Sequence, residues 1–277
     1  MPRPTVDPGV PLPDDGRGPA YLRTRHGVVA LAHRGFDRTG RENSLAAFAA
    51  ARALGFEHVE TDAHATADGV AVALHDALLD RTTDARGAVA ALPWDVVRRA
   101  RIGGTEPVPA LEDLLGLFPD LRVNVDVKAA AAAGPTARAV ERTRAHDRVC
   151  LTSFSSRRRR RALAGLSRPV ATSAGQAEVV AFLAAARLAP PALRTAAVRA
   201  ALRGVDCLQV PERSGAVPVV DARTLAAAHA AGRPVHVWTV NGAADMHRLL
   251  DLGVDGLVTD RADVLRAVLL ERGAWGG

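Results

Sequence analysis

The sequence predicts a (β/α)₈ TIM barrel with a small insertion after the second strand, and three observations carry that expectation. Its 277 residues match the ~250 residues typical of one such barrel. From residue 28 onward, short β-type runs alternate with alanine-rich helical stretches, the pattern of a parallel sheet with crossover helices. The polar residues able to do chemistry fall at the C-terminal ends of the strand runs, where barrels of this kind keep their catalytic groups.

Strand runs lie at 28–33, 57–63, 122–127, 149–153, 169–173, 206–210, 234–239 and 256–259. Helical stretches lie at 44–54, 110–118, 135–146, 156–166, 176–187, 221–231, 243–252 and 261–271. Asn43 or Ser44 supplies an N-cap for the first helix and Gly55 its stop. A further run at 70–75 would spoil the eightfold count. Asp68-Gly69 before it is a turn signal, so 70–75 reads as an antiparallel hairpin arm leaning on the second strand. The stretch 77–108 then becomes the insertion, at the active-site rim before the second helix. A doubly wound open sheet competes, but the chain has no glycine-rich nucleotide fingerprint to support it. Residues 1–26 are proline-rich, with scattered charges and no apolar core of signal-peptide type. They are expected to form a flexible leader to the barrel of residues 27–277, and the protein is expected in the cytoplasm.

Composition narrows the function classes. No run of 18 or more apolar residues exists, so neither a transmembrane helix nor stable membrane insertion is expected. Cys150 and Cys207 sit in apolar runs outside any CxxC or Cys/His cluster and read as buried thiols, with no zinc site. The net charge of +6 favours anionic partners. The densest basic run, Arg157 to Arg161, cannot share one helix face and has no interleaved aromatic residues, so it reads as mostly solvated and no nucleic-acid partner is expected. Of 36 basic residues, Lys128 alone is lysine. In so arginine-biased a chain it marks a place where a compact ammonium is needed. Asparagine is nearly as scarce, at Asn43, Asn124 and Asn241.

The chemistry collects on a few strand ends. His33-Arg34-Gly35 ends the first, Glu60-Thr61-Asp62 the second, Asp126-Val127-Lys128 the third and Trp238-Thr239-Val240-Asn241 the seventh. Residues two apart on a strand share a face. Glu60 and Asp62 therefore project together, as do Asn124, Asp126 and Lys128. Three carboxylates converging in a cleft repel one another, and one divalent cation with oxygen ligands, Mg²⁺ or Ca²⁺, relieves that repulsion. His33 and His75 suit the two proton transfers of phosphodiester hydrolysis. Arg34 and Lys128 suit the non-bridging phosphate oxygens.

These residues, with Glu42-Asn43-Ser44, Ala47-Phe48, Thr66-x-Asp68-Gly69, His75-Asp76, Arg81-Thr82-Thr83, Pro109-x-Leu111, Ser153-Phe154 and Gly256-Leu257-Val258-Thr259-Asp260, resemble the signature of the glycerophosphodiester phosphodiesterases over residues 28–271. The resemblance implies a barrel with an insertion after the second strand, and cleavage of small-molecule glycerophosphodiesters to glycerol 3-phosphate and an alcohol. Position by position, it implies His33 and His75 as acid–base pair, Glu60, Asp62 and Asp126 as metal ligands, and Arg34 and Lys128 as phosphate binders. Trp238 corresponds to an aromatic residue beside the substrate's glycerol end. Phe154 and Gln209, also placed at strand ends, are further candidates for substrate contact, and Glu42 for a supporting bond to a site residue. Two positions depart from the family pattern: Asp126 stands where glutamate is frequent, and Ser44 where threonine is common.

Two other readings compete. A lysophospholipase D acting at a membrane surface would keep the chemistry and ask for an apolar patch near the barrel mouth, for which the insertion offers Leu92, Pro93 and Trp94. A catalytically silent barrel binding anionic ligands would have lost an acid–base or metal position, whereas every such position here holds a competent residue type.

Overall fold

The computed structural model describes residues 18–276. Eight parallel strands form the barrel: β1 (Val29–Ala32), β2 (His58–Ala65), β3 (Arg122–Val127), β4 (Val149–Thr152), β5 (Ala171–Thr172), β6 (Leu208–Pro211), β7 (Val235–Trp238) and β8 (Gly256–Thr259). They pair in the order β5-β4-β3-β2-β1-β8-β7-β6. A parallel bridge between Ser173 and Cys207 joins the two ends of that order, with the Asp206 N–H donating to the Thr172 carbonyl at 2.8 Å. The ring is therefore closed, and the open-sheet alternative falls.

The arm Ala71–Ala73 pairs antiparallel with the end of β2, Ala63 opposite Ala73, as the Asp68-Gly69 turn signal required. Besides a single turn at Trp94–Val97 in the insertion, the helices are α1 (Leu45–Ala53), α2 (Leu111–Leu117), α3 (Ala133–Thr143), α4 (Ser156–Leu163), α5 (Gln176–Leu188), α6 (Pro191–Ala201), α7 (Ala222–Ala230), α8 (Ala243–Leu252) and α9 (Ala262–Glu271). Ser44 caps α1, its hydroxyl accepting from the Ala47 N–H at 3.1 Å. Helix α6 is not among the expected helical stretches, and Pro190-Pro191 opens it. Proline is well suited to a first helical turn, where its missing N–H costs nothing.

Strand alternation divides the apolar residues. Outward side chains meet the helices in one extended core that includes Phe48, Val59, Leu114, Val125, Leu151, Leu225 and Leu265. Inward ones form two small clusters, Val29, Leu31 and Val258 with Trp238, and Tyr21, Cys150, Ala171 and Cys207. Tyr21 corrects the leader expectation. Residues 1–17 lie outside the described residues, but Ala20–Leu22 form a 3₁₀ turn that buries Tyr21 completely. Its ring meets His58 edge-on at 5.2 Å, and its carbonyl accepts from His58 Nε2 at 2.7 Å. The physical reason is volume: Cys150, Ala171 and Cys207 are small side chains at their end of the barrel, and one aromatic ring fills the floor beside them. His26 stacks on Trp275 at 3.8 Å, tying this segment to the end of the chain.

The stretch 77–108 has its own core of Leu79, Val89, Val97, Ala100, Ile102 and Val108, shared with Val72 and Leu74 of the arm. Leu92 and Trp94 pack against that core, so the residues invoked for a lipid-facing patch are largely used internally.

Candidate active site

The site grows from the end of β1. The His33 N–H donates to the Thr259 carbonyl at 2.9 Å, and the chain then turns sharply through Arg34 (φ 57°) and Gly35 (φ 81°). A Cβ on Gly35 would stand 2.7 Å from the Ala47 carbonyl carbon. Only glycine allows this corner to rest on α1, and the corner aims His33 and Arg34.

Each candidate acid–base histidine is held by a carboxylate. His33 Nδ1 lies 2.5 Å from Asp260 Oδ1, and His75 Nδ1 lies 2.6 Å from Asp76 Oδ1. An ionised carboxylate only accepts, so each ring carries its proton on Nδ1 and leaves Nε2 as the reactive nitrogen. Asp260 is fixed by Asn241, whose Nδ2 donates to it at 2.9 Å while its Oδ1 accepts from the Asp260 N–H at 2.9 Å. Burial opposes a charge on His33, but Glu60 (Oε2 3.7 Å from Nε2) and Asp260 outweigh it and raise the ring's pKa above its ordinary value.

Between the histidines stands an acidic wall. Register places Glu60 beside Asn124 and Asp62 beside Asp126, and all three carboxylates are buried. Lys128 Nζ reaches Asp62 Oδ1 and Asp126 Oδ2, both at 3.1 Å. Arg34 Nε lies 3.3 Å from Asp62 Oδ2, and the Arg34 N–H donates to Glu60 Oε2 at 3.2 Å. Burial, then Asp62, pushes Glu60 well above the usual carboxylate range. Asp62 goes the other way: burial would raise it, but Lys128, Arg34 and the Asn43 amide hold it low. Asp126 is raised by burial and by Asp62 against the pull of Lys128. Its Oδ1 is buried with no hydrogen-bond partner. Among the described residues, no three His, Cys, Asp or Glu side chains stand as a ready-made ligand cluster; Lys128 threads between two of the carboxylates.

Trp238 and Phe154 meet edge to face with centroids 5.7 Å apart, and Lys128 Nζ lies 6.0 Å from the Phe154 ring. Gln209 departs from expectation: it is the second residue of β6, buried beside His236 (Nε2 to Nδ1 3.5 Å), because the strand continues to Pro211. Glu42 accepts from Arg34 Nη1 at 2.8 Å and from Arg81 Nη2 at 2.8 Å.

Several residues that shape this site were not among the sequence candidates for it. Asn43, fully buried at φ 61°, donates to Asp62 Oδ2 at 3.0 Å and accepts from the Thr61 hydroxyl at 2.8 Å. Its scarcity was the available signal. His64, next inward residue on β2 after Asp62, bonds the His75 carbonyl at 3.1 Å. Arg158, from the basic run, donates to the Val127 carbonyl at 2.9 Å and to that of Lys128, bracing the end of β3. Arg159 is buried against Glu178 (2.9 Å), whereas Arg157, Arg160 and Arg161 are exposed.

Fold and site together define a closed (β/α)₈ barrel whose mouth pairs two histidines with an acidic wall and two cations. A profile of the Glycerophosphoryl diester phosphodiesterase family matches residues 33–264. The chain is 49% identical over 265 residues, covering 95% of it and 99% of the relative, to a probable glycerophosphodiester phosphodiesterase 2 of Mycobacterium tuberculosis. It is 25% identical over 252 residues, 86% of its length and 96% of the relative's, to a glycerophosphodiester phosphodiesterase of Caldanaerobacter subterraneus. Among solved structures, a putative glycerophosphoryl diester phosphodiesterase from Silicibacter pomeroyi superposes with a TM-score of 0.74 at 23% identity, covering 94% of this chain and all (100%) of that one. A phosphodiesterase from Oleispira antarctica, in complex with the product sn-glycerol-3-phosphate, does so with a TM-score of 0.68 at 20% identity, covering 87% and 96%. The chain belongs to the glycerophosphoryl diester phosphodiesterase family.

Proposed function

We propose that this barrel hydrolyses glycerophosphodiesters to glycerol 3-phosphate and an alcohol, with His33 and His75 as its acid–base pair. The observation that carries the mechanism is geometric: two imidazoles, each with Nδ1 on a carboxylate, flank one buried cluster of carboxylates and cations. Hydrolysis of a phosphodiester needs one group to activate the nucleophile and another to protonate the departing alkoxide, and imidazole suits both. Arg34 and Lys128 hold the non-bridging oxygens and stabilise the charge that builds on them. Trp238 and Phe154 form an apolar wall beside Lys128 for the glycerol end, and Glu42 steadies Arg34. Gln209, deeper in the barrel, is placed to support the layer beneath.

Glu60, Asp62 and Asp126 fit one divalent cation, Mg²⁺ or Ca²⁺. Their donors are hard oxygens, Asp126 Oδ1 has no other partner, and Glu60 is pushed upward by burial and then by the charge of Asp62. When bound, such a cation supplies Lewis-acid polarisation of the phosphoryl group. We place the enzyme in the cytoplasm, where Cys150 and Cys207 persist as free, buried thiols; among the described residues no helix is long and apolar enough to cross a membrane.

The test is release of glycerol 3-phosphate from glycerophosphocholine after chelation, then with Mg²⁺ or Ca²⁺ restored. Turnover lost with the chelator and recovered with one metal is expected. Undiminished turnover in chelator removes the cation from the proposal. Hydrolysis of lysophosphatidylcholine alone moves the substrate to lysophospholipids.

A further inference from the structure

Arg81 lies in the insertion, and its guanidinium serves two carboxylates at once. Nε and Nη2 donate to the two oxygens of Asp76 at 2.6 and 3.1 Å. Nη2 and Nη1 donate to the two oxygens of Glu42 at 2.8 and 3.3 Å. Asp76 in turn accepts from His75 Nδ1 (2.6 Å), and Glu42 from Arg34 Nη1 (2.8 Å). A planar fork of five donors can match two carboxylate edges together; a lysine ammonium cannot.

The fork is held from behind. Leu79, two residues earlier, is fully buried in the insertion's core. The Thr83 N–H and hydroxyl both donate to the Leu79 carbonyl, at 3.0 and 2.8 Å, and close the turn that presents Arg81. The Gly103 N–H donates to the Thr82 carbonyl at 3.0 Å, tying that turn to the hairpin of Arg101–Ile102 with Glu106–Pro107.

We propose that Arg81 is a positioning residue, a clamp through which the insertion sets the orientation of His75 and Arg34 together. The proposal rests on the reaction assigned above. Without the fork, Asp76 loses its cationic partner and is free to swing away from His75, while Glu42 is left with Arg34 alone and draws it off Asp62. Two separable consequences follow: the Asp76 branch governs kcat through His75, and the Glu42 branch governs KM through Arg34.

The experiment compares Arg81→Met and Arg81→Lys, then Arg81→Met combined with Asp76→Asn or with Glu42→Gln. Arg81→Met is expected to lower kcat/KM roughly 10–100-fold, the usual cost of losing such an outer partner, with the thermal midpoint unchanged. Arg81→Lys should not rescue it. In the Asp76→Asn background Arg81→Met should no longer lower kcat, and in the Glu42→Gln background it should no longer raise KM. Ring ¹⁵N spectra read the same clamp without turnover: His75 should show one Nδ1–H tautomer in the wild type and an averaged pattern in Arg81→Met. The proposal is overturned if Arg81→Met stays within about twofold of wild type, if lysine restores full activity, or if the double-variant losses simply add. A wild type that releases no glycerol 3-phosphate removes the assigned reaction instead, and the nitrogen pattern then decides the clamp: averaged supports it, unchanged refutes it.

Discussion

Asp260 and Lys128 show what single residues do here. Asp260 fixes the proton of His33 on Nδ1 and is itself oriented by Asn241. Asp260→Ala should therefore lower kcat roughly 10–100-fold with little change in KM, measured by steady-state kinetics. Lys128 bridges Asp62 and Asp126 with a compact ammonium. In Lys128→Arg the longer planar group should displace one carboxylate and cut kcat/KM by at least about tenfold; full activity would show that the bridge needs only a charge. The two residues differed in legibility. Lys128 stood out as the lone lysine of an arginine-rich chain, and Glu60, Asp62 and Asp126 by their two-residue spacing. Asp260 lies 227 residues from His33, and nothing local announces the pairing. Its position just past the last strand was the usable signal, since both partners then crown adjacent strands.

At the scale of elements, the corner after β1 and the floor of the barrel matter most. Gly35→Ala places a methyl against the backbone of α1 at positive φ. It should cost at least about 1–3 kcal/mol, read as a lower denaturant midpoint, and should lower activity as His33 and Arg34 shift. Tyr21→Ala empties the floor and should cost about 3–5 kcal/mol on the same measurement. Alternation and turn chemistry made the eight strands, the hairpin arm and the insertion legible. They failed where one signal has two meanings. Pro190-Pro191 marks a loop and also a helix start, which hid α6. A proline-rich approach reads as a leader, and only the volume of the barrel floor, a three-dimensional quantity, reveals that Tyr21 belongs inside.

For the whole molecule, the buried interior sets the response to acid. Burial holds His58 at about 3 and His236 at about 4, against an ordinary 6.5. Both stay neutral in the fold while the unfolded chain takes up protons below about pH 6.5. Stability should therefore be full above that value and fall as pH drops toward 4, by roughly 3 kcal/mol for each histidine. Chemical denaturation across that range checks the slope, and His236→Gln should reduce it by roughly half, leaving the His58 part. The same closed barrel gathers the site, bringing residues from β1, β2, β3, β7, β8 and the insertion to one mouth, where the two histidines stand. The most direct test is release of glycerol 3-phosphate from glycerophosphocholine by the wild type, His33→Ala and His75→Ala, with folding checked by circular dichroism. Both variants should remain folded and lose about 10²–10⁴-fold in turnover; a folded variant of either histidine with wild-type turnover would rule that histidine out as an acid–base group.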